Sequence, residues 1–423
     1  MIKKLTLETF KNFRRADLFL GPFTLLVGTN ASGKSNIRDA FRFLHGLSRG
    51  YNLADIMGEK WIEGGVLQWR GIRGGTREAV FQGSDSFTLT VDFDINDKGQ
   101  LRDAQYQIKV NVGTNGAPPR VSAERLVVNG RGSYIFESSS GDNEALDPQE
   151  IMVQLRKEAQ KGFVGPSFPF PNNQPIISQI PESKKVKLAI IKEFCREALS
   201  AFSSMRFLDL SPDQMRIPSL PGQKILGDRG ENLSSVLQAI CSDDKNKQSL
   251  VQWIKELTPM DAVDFEFPPD QTGKILVSLV EQGGRRISAY SASDGTLRFL
   301  AMIAALIGPE PAKFYFFEEL ENGIHPTRLH LLMQLIESKT VHGSIQVVAS
   351  SHSPQLLAIL SPSSLRHTSL VFRLENDTEA RIKGIWDIPN AKEVIGKQDI
   401  AKLLSSGWLE DAVAFTAGEG LPS

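Results

Sequence analysis

The start of the chain alternates between apolar and polar positions and then becomes continuously apolar. Residues 2–7 alternate as a half-buried strand does, and residues 23–27 form an apolar run that ends at Gly28, as a buried strand would. Apolar side chains recur at helical spacing after this glycine, at Ile37, Phe41 and Leu44. The pattern therefore predicts a strand, a glycine-bounded loop and a helix in succession.

The same order of elements returns near the end of the chain. Residues 314–317 and 345–349 are short apolar runs typical of buried strands, and residues 296–307 and 327–338 have helical periodicity. Strands that alternate with helices in this way indicate an α/β fold.

A long middle segment separates these two regions, and its pattern is mixed. Residues 86–111 predict strands with a hairpin turn at residues 96–99, and residues 137–181 are rich in Ser, Pro, Asn and Gly, which predicts loop. Helices are predicted over residues 182–206 and 231–257, and strands again over 264–267 and 275–281. The first of these helices would bury a seam formed by Leu188, Ile191, Cys195, Ala198 and Phe202.

Composition narrows the environment of the protein. Hydrophobic residues make up 41% of the chain, enough for a buried core, and its 48 basic and 49 acidic residues nearly cancel. Any contact with DNA must therefore come from a local patch. The two cysteines, Cys195 and Cys241, have no second Cys or His at metal-ligand spacing, which indicates thiols in a reducing compartment. We find no signal peptide and no apolar stretch of about 18 residues, so we expect a cytoplasmic protein without a membrane span.

The loop between the first buried strand and its helix carries the strongest chemical signal. Its sequence, Gly-Thr-Asn-Ala-Ser-Gly-Lys-Ser at residues 28–35, matches the phosphate-binding P-loop in every required position. The two glycines let successive backbone N–H groups point at phosphate oxygens, Lys34 would neutralise the β- and γ-phosphates of ATP, and Ser35 would offer its hydroxyl to Mg²⁺. The expected contact residues are Gly28, Thr29, Asn30, Ala31, Ser32, Gly33, Lys34, Ser35 and Asn36.

Two adjacent carboxylates follow the apolar run at residues 314–317. This arrangement suits an acid that orients magnesium, Glu318, followed by a general base for the attacking water, Glu319. The alternative interpretation is a buried strand that steps into an ordinary charged turn. His352 follows the next predicted strand, where its side chain could hydrogen-bond the γ-phosphate.

A small polar loop at residues 291–298, Ser-Ala-Ser-Asp-Gly-Thr-Leu-Arg, opens a helix ahead of the acidic strand. The order and spacing of all these motifs resemble the ABC-type ATPase family, and more closely its RecF, SMC and OLD branch. The resemblance covers residues 1–45 and 285–360. It implies that residues 291–298 are the signature loop, in which Ser293, Asp294 and Gly295 meet the γ-phosphate of ATP on the opposite protomer. It also implies a D-loop at residues 321–326, a switch histidine at His352, and a homodimer or higher homo-oligomer.

The sequence departs from the family pattern at three positions. Glu318 stands where Asp is usual, Leu320 where Pro is usual, and Asp294 where many members have Gly. The first departure would shift bound magnesium by the length of a methylene group. Gln68 is our candidate for the family's Q-loop glutamine, because it precedes an arginine-rich turn, and Gln82 is the alternative.

The resemblance implies a P-loop NTPase fold, an ABC-type ATPase head with a mixed helical and strand insertion. We expect residues 1–110 to form the N-terminal part of the head and residues 261–370 its C-terminal part. Residues 111–260 would be an inserted, largely helical region that serves dimerisation or faces DNA, and residues 371–423 a C-terminal tail.

Three further clusters are candidates for binding. The turn at residues 69–77 carries Arg70, Arg73 and Arg77 and would contact nucleic-acid phosphates or else be a solvated loop. A weaker candidate for the same role is a set of lysines on the first predicted middle helix, Lys184, Lys185, Lys187 and Lys192. Asp92 and Asp94 share one face of a strand, as a metal-binding pair or as ordinary strand-edge charges.

Three functions fit these observations. The first is the ATPase or sensor subunit of a DNA-processing or antiphage defence system resembling OLD and its two-gene relatives. The second is a RecF-like repair protein that binds DNA directly. The third, a transport ATPase, fits worst, because transporter motifs lie much closer together than Lys34 and Glu319 do here.

The C-terminal tail distinguishes the first two functions. Its acids, which include Asp377, Asp387, Asp399 and Asp411, form no Asp-x-Asp cluster. The tail is also too short for a fused metal-dependent nuclease, so we expect any nuclease to be a separate chain. From Trp386 onward the tail resembles the ends of ATPases in two-gene OLD-like systems, notably at residues 406–415. An apolar stripe at helical spacing, formed by Ile400, Leu403, Leu404 and Trp408, would either dock that partner through residues 399–415 or pack back on the ATPase.

Overall fold

The computed structural model describes residues 1–113, 116–131, 134–139, 147–156, 165–257, 262–341, 343–374, 377–397, 400–409 and 411–413. The chain divides into two compact units. The first unit comprises Met1–Gly21, Gly28–Ser204 and Ser369–Gly384, and the second comprises Pro22–Val27, Met205–Thr368 and Ile385–Ser423. Residues 111–260, expected as one inserted region, divide between both units.

The strands are β1 (Ile2–Phe10), β2 (Phe13–Phe19), β3 (Phe23–Val27), β4 (Glu59–Ile62), β5 (Val66–Arg70), β6 (Ser86–Asp97), β7 (Gln100–Asn111), β8 (Arg120–Val128), β9 (Phe136–Ser139), β10 (Glu150–Leu155), β11 (Ser167–Pro171), β12 (Met205–Leu208), β13 (Ala262–Glu266), β14 (Ser278–Glu281), β15 (Arg286–Ser288), β16 (Phe314–Phe317), β17 (Gln346–Ser351), β18 (Thr368–Arg373) and β19 (Ala380–Gly384).

The helices are α1 (Lys34–Ser48), α2 (Leu53–Met57), α3 (Ile176–Gln179), α4 (Ala189–Ser203), α5 (Pro212–Met215), α6 (Leu233–Cys241), α7 (Asp244–Leu257), α8 (Asp294–Ile307), α9 (Pro326–Thr340), α10 (Pro354–Ala358), α11 (Pro362–Leu365), α12 (Ala391–Lys397) and α13 (Ile400–Ser405).

The first unit is built on an antiparallel sheet with the strand order β11-β10-β9-β8-β7-β6-β1-β2. Alternate residues of β6 point to one buried face, as its period-two pattern predicts. Helices α1 and α4 pack on this face: the ring of Phe43 lies 5.4 Å from that of Phe87, and the ring of Phe202 lies 5.3 Å from that of Phe93. The helix that follows the P-loop is thereby fixed to the sheet.

The predicted hairpin at residues 96–99 is confirmed. Strands β6 and β7 are joined through Lys98 and Gly99, which both have positive φ, 54° and 89°. Positive φ at both central residues is typical of the type I′ turn that matches strand twist. The Asn96 side chain accepts a hydrogen bond from the Gly99 N–H at 2.8 Å and closes the turn.

The loop prediction for residues 137–181 is wrong in part. The segment contains β10 and β11, most of β9, and α3, while residues 140–146 and 157–164 lie outside the described part of the chain. The buried side chains of β10 alternate, at Ile151, Val153 and Leu155. Polar residues and prolines around such short strands concealed this pattern, and each strand is completed by backbone pairing with its neighbour.

The helix predicted from residue 182 begins later, at Ala189. Leu188 has an extended backbone, with φ −78° and ψ 106°, so Lys184, Lys185 and Lys187 precede the helix. The predicted seam is otherwise confirmed, because Ile191, Cys195, Ala198 and Phe202 are all buried. The helical stretch predicted over residues 231–257 is two helices, α6 and α7, separated by Ser242 and Asp243.

The second unit contains the parallel strands that the apolar runs predicted, in the order β12-β16-β17-β3. Strands β3, β16 and β17 are buried along their whole length, as expected for parallel strands that helices cover. Helix α9 packs against β3, β17 and α8. The predicted α/β alternation is therefore confirmed. A small antiparallel sheet, β13-β14-β15, leads into α8.

The tail helix α13 packs against α10. Ile400 and Leu403 are buried, with 8% and 3% of their surfaces exposed, whereas Trp408 is half-buried. Half of the apolar stripe therefore packs back on this unit. Asp399, Glu410, Ala414 and Phe415 of the predicted docking segment lie outside the described residues. None of the helices in the described ranges is both long and apolar enough to cross a bilayer.

Candidate nucleotide-binding and catalytic site

The P-loop follows β3 directly and lies in the first unit. Gly28 has φ 146°, and a Cβ atom there would lie 2.0 Å from the carbonyl oxygen of Val371. Gly33 has φ 119° and would bring a Cβ atom to 3.0 Å from the Phe13 ring. Side chains are therefore excluded at both glycines, by close packing as well as by backbone conformation.

Lys34 begins α1 and points its ammonium into the loop. Its Nζ donates hydrogen bonds to the carbonyl oxygens of Gly28 at 2.7 Å and Thr29 at 2.8 Å. The Ser32 Oγ is buried and has no hydrogen-bond partner among the described residues. A positive charge at a helix N-terminus and an unsatisfied buried hydroxyl in the same loop fit a phosphate group.

Open space adjoins the tip of this loop. Residues 29–32 form one wall of a cavity of about 400 Å³, and Arg373, Leu374, Asp377 and Thr378 form the other. Asn36, in the first turn of the helix, donates from Nδ2 to the Asn12 Oδ1 at 2.7 Å. The loop is thus held by contacts on both sides, and its tip remains accessible.

A buried ion network lies behind the P-loop helix. Asp39 of α1 is fully buried and lies 3.1 Å from the Lys11 Nζ and 3.0 Å from the Arg73 Nε. Burial lowers the pKa of Lys11 below its usual range, and Asp39 partly offsets this. Arg73 also donates to the Asn36 Oδ1 at 3.2 Å. The middle arginine of the predicted nucleic-acid turn is therefore bound to the P-loop helix, which the sequence did not indicate.

The two Q-loop candidates have similar surroundings. Gln68 lies on β5 with its side chain exposed, and Gln82 is exposed in the segment before β6. The Q-loop assignment stays a prediction.

The predicted acids directly follow β16, in a segment of residues 318–322 that we call the acidic turn. Glu319 has φ 48°, a left-handed conformation that is uncommon for a non-glycine residue. Ser350 of β17 holds it there: its Oγ accepts from the Glu319 N–H at 3.1 Å, and its carbonyl accepts from the Leu320 N–H at 3.1 Å. A proline at 320 could not make the second bond, so this departure from the family pattern has a structural reason.

Side chains of the acidic turn are also held by hydrogen bonds. The Asn322 Nδ2 donates to the Glu319 Oε2 at 3.1 Å, and the Asn322 N–H donates to the Glu319 carbonyl at 2.8 Å. Glu321 accepts from the backbone N–H of His352 at 2.8 Å. The backbone of His352 is therefore joined to the acidic turn through Glu321, within one unit.

The signature loop contacts the residue that follows this turn. Ser293 caps α8 by accepting from the Thr296 N–H at 3.2 Å, and the side chains of Ser293 and Asp294 are exposed. A Cβ atom on Gly295 would lie 2.2 Å from the Gly323 carbonyl oxygen. Two motifs that the sequence placed separately, the signature loop and the D-loop, are thus in close backbone contact.

Comparison with known proteins assigns the chain to a family. A family model described as "AAA domain, putative AbiEii toxin, Type IV TA system" matches residues 23–358. The chain belongs to this family. It is accordingly a P-loop ATPase, an ATP-hydrolysing enzyme.

Three proteins similar to this AAA-domain chain share little sequence identity with it. A Helicobacter pylori (strain ATCC 700392 / 26695) protein named ATP/GTP phosphatase is 20% identical over 394 residues, which are 90% of this chain and 94% of that protein. The SMC head domain from Thermotoga maritima is 14% identical, and the match covers 91% of this chain and 98% of that one with a TM-score of 0.42. An SmcHead bound to the C-winged helix domain of ScpA is 14% identical over 93% of this chain and 99% of that one, with a TM-score of 0.47.

In the two remaining candidate clusters of the AAA-domain chain, the aspartate pair and the lysines, side chains have partners within the protein. Asp94 pairs with Lys3 at 2.6 Å, and Asp92 accepts from Gln105 at 2.7 Å. No group of three or more His, Cys, Asp or Glu side chains that could hold a metal occurs within the described ranges. These contacts favour the alternative interpretation, ordinary strand-edge charges, and the metal pair stays an untested prediction. Lys185 donates to the Pro169 carbonyl at 2.8 Å, ahead of α4.

Proposed function

We propose that this ATPase dimerises around ATP, as members of the RecF, SMC and OLD branch do, and that each ATP is hydrolysed between two protomers. The observation that carries the proposal is the exposed signature loop. Ser293 and Asp294 present their side chains to solvent at the N-terminus of α8, where an anion is favoured. The same loop contacts Gly323, next to the turn that holds Glu319. A phosphate bound there from a second copy would be linked to the acidic turn of the first.

The roles of the other residues follow from their chemistry. Lys34 would neutralise the β- and γ-phosphates, and Glu319 would take the proton of the attacking water. Glu319 is held by Asn322 and Ser350, which suits a base that must keep one orientation. The Ser35 hydroxyl and the Glu318 carboxylate are hard oxygen donors of the kind that Mg²⁺ prefers, and the bound ion would offset phosphate charge.

Mixing two inactive variants tests the composite site. Lys34→Ala removes the phosphate-binding ammonium, and Ser293→Arg blocks the signature loop, so neither homodimer should hydrolyse ATP. A mixed dimer contains one intact site. At equal amounts the mixture should recover about a quarter of the wild-type rate, because half of randomly formed dimers are mixed and each has one working site of two. If heterodimers are shown to form but no activity returns at any ratio, the composite site between two protomers is contradicted.

We further propose that the protein is the ATPase or sensor subunit of a DNA-processing or antiphage defence system with a separate nuclease chain. The family description, which names a toxin of a toxin–antitoxin system, supports a multi-component role. Direct DNA binding is less well supported, because Arg73 is committed to Asp39 and Asn36.

Co-expression with the neighbouring gene tests this role. The product should co-purify with the ATPase and carry nuclease activity that responds to ATP. Independent purification of both proteins, with nuclease activity indifferent to the ATPase, contradicts it.

A further inference from the structure

The signature loop carries a negative charge beside its proposed phosphate ligand. Asp294 follows Ser293 directly, and its side chain is 66% exposed. In the proposed function, Ser293 and Gly295 approach an ATP phosphate, which is itself negatively charged. Like charges a few ångströms apart repel, and the repulsion is stronger near a protein surface than in bulk water. An uncompensated Asp294 would therefore oppose the binding that the loop is proposed to perform.

One arginine compensates this carboxylate and grips the loop. The Arg216 Nη2 donates to the Asp294 Oδ1 at 2.6 Å and to the Ala292 carbonyl at 3.1 Å. These two acceptors flank Ser293 in the chain. The Nη2 group therefore bridges both sides of the proposed phosphate ligand, while Nη1 donates to the Asp213 Oδ1 at 3.3 Å. The two arms of the guanidinium thus reach different acceptors at once, which the single nitrogen of a lysine would do less well.

The arginine is fixed to the core of its unit. It follows α5 directly, and its backbone N–H donates to the Pro212 carbonyl at 3.1 Å. The preceding residue, Met215, is fully buried, and α5 packs against α8. The side chain of Arg216 is only 23% exposed. The backbone that carries Arg216 is thus held in place by packing, unlike the backbone of a long side chain on an exposed loop.

We propose that Arg216 is a positioning residue for the signature loop. It cancels the charge of Asp294 and holds the segment around Ser293 in the conformation that receives phosphate from a second copy of the chain. The inference rests on the proposed dimeric function and deepens it.

A purely structural role for the pair is the competing explanation. An acid in the first turn of a helix stabilises the helix dipole, and exposed ion pairs contribute little to stability. Neither effect makes ATP turnover depend on whether residue 294 is charged. The two explanations therefore separate when Arg216 is removed in the presence and in the absence of the Asp294 charge.

The experiment compares Arg216→Ala, Arg216→Lys, Asp294→Asn and the double variant Arg216→Ala/Asp294→Asn in the full chain. Arg286→Ala is the matched control, because Arg286 pairs with Glu266 at 2.6 Å in the same unit, outside the signature loop. For each variant we would measure ATP turnover, ATP affinity by calorimetry, melting temperature and ATP-driven association by sedimentation. Each measurement is made at about 0.05 M and at about 0.5 M salt, because the higher concentration screens surface charges much more strongly.

We expect Arg216→Ala to lower turnover and association about tenfold or more at low salt, with a smaller deficit at high salt. ATP affinity and melting temperature should stay close to those of the wild type. Arg216→Lys should be intermediate and the Arg286→Ala control normal. The double variant should recover most of the lost turnover, since the Asp294 carboxylate, the charge within the signature loop, is no longer present.

Either of two results with Arg216→Ala overturns the role of this arginine. Wild-type turnover in Arg216→Ala does so directly, and so does a deficit that is equal in both Asp294 backgrounds and at both salt concentrations. If the wild type does not self-associate when ATP is present, the proposed dimer is contradicted and the inference fails with it. Wild-type association with an unaffected Arg216→Ala variant overturns the role of Arg216 alone.

Discussion

Gly295→Ala is the substitution that probes most directly the contact between the signature loop and the D-loop. The added Cβ atom would lie 2.2 Å from the Gly323 carbonyl oxygen. Comfortable contacts between heavy atoms begin at roughly 3.5 Å, so the two segments must separate by roughly 1 Å. Gly295 does not have positive φ, so alanine is compatible with its backbone and the effect is steric.

The expected magnitude follows from this displacement. Misplacing a catalytic group by 1 Å costs on the order of 100-fold in rate, or about 3 kcal/mol of activation free energy. Global stability should change less. Overpacking costs about 1–3 kcal/mol, and the better helix propensity of alanine offsets up to about 1 kcal/mol of it. Turnover should therefore fall far more than the melting temperature does.

The assay combines steady-state ATP turnover, calorimetric ATP affinity and thermal melting. Gly283→Ala is the matched control, because a Cβ atom there meets no heavy atom within 4 Å and the turn lies in the same unit. The control should behave as the wild type. Gly295→Ala with normal turnover would show that the contact with Gly323 does not constrain catalysis, and the argument from displacement would be refuted.

Three further results are expected. Glu319→Gln should keep ATP affinity but lower turnover by about 100-fold or more, because it removes the general base, and unchanged turnover would assign the base elsewhere. Leu403→Ala should lower the free energy of unfolding in urea by about 2–5 kcal/mol, because Leu403 is only 3% exposed. Trp408 is half-buried, so Trp408→Ala should weaken co-purification of an effector more than it lowers the melting temperature. The reverse pattern would place Trp408 in the core. Burial raises the pKa of Glu124 from 4.5 to about 7, so the folded state holds this proton more tightly than the unfolded state does. The free energy of unfolding should therefore fall by about 3 kcal/mol as pH rises from about 4 to 7. Glu124→Gln should remove that pH dependence, and an unchanged slope in urea unfolding would contradict the assignment.

The parts of the site that the sequence predicted are those encoded locally. The P-loop needs glycines at fixed positions between a strand and a helix, and Ile37, Phe41 and Leu44 are all buried on α1 as their spacing predicted. The apolar strand before Glu318 and the helix after Ser293 were equally visible. Each depends on neighbours along the chain, so periodicity and motif spacing suffice.

The contacts that the sequence did not predict join segments far apart in the chain. Arg216 reaches Asp294, Ser350 holds Glu319, and Asp39 binds Arg73. No periodicity records such pairs, because they arise from strand order and from packing. The short strand β10 was missed for a related reason: its pattern is clear only when the neighbouring strands that complete its hydrogen bonding are known.

The left-handed Glu319 shows how these two levels of structure combine. A strained backbone conformation of this kind persists only where its surroundings determine it. Ser350 fixes the backbone from the neighbouring strand, while Asn322 fixes the carboxylate from within the turn. Of the two restraining residues, only Asn322 lies on the segment that continues into Gly323, against which the signature loop packs. A phosphate bound at Ser293 could therefore adjust the orientation of the Glu319 carboxylate without moving β16, so the proposed trans contact and the proposed base need share only this short turn.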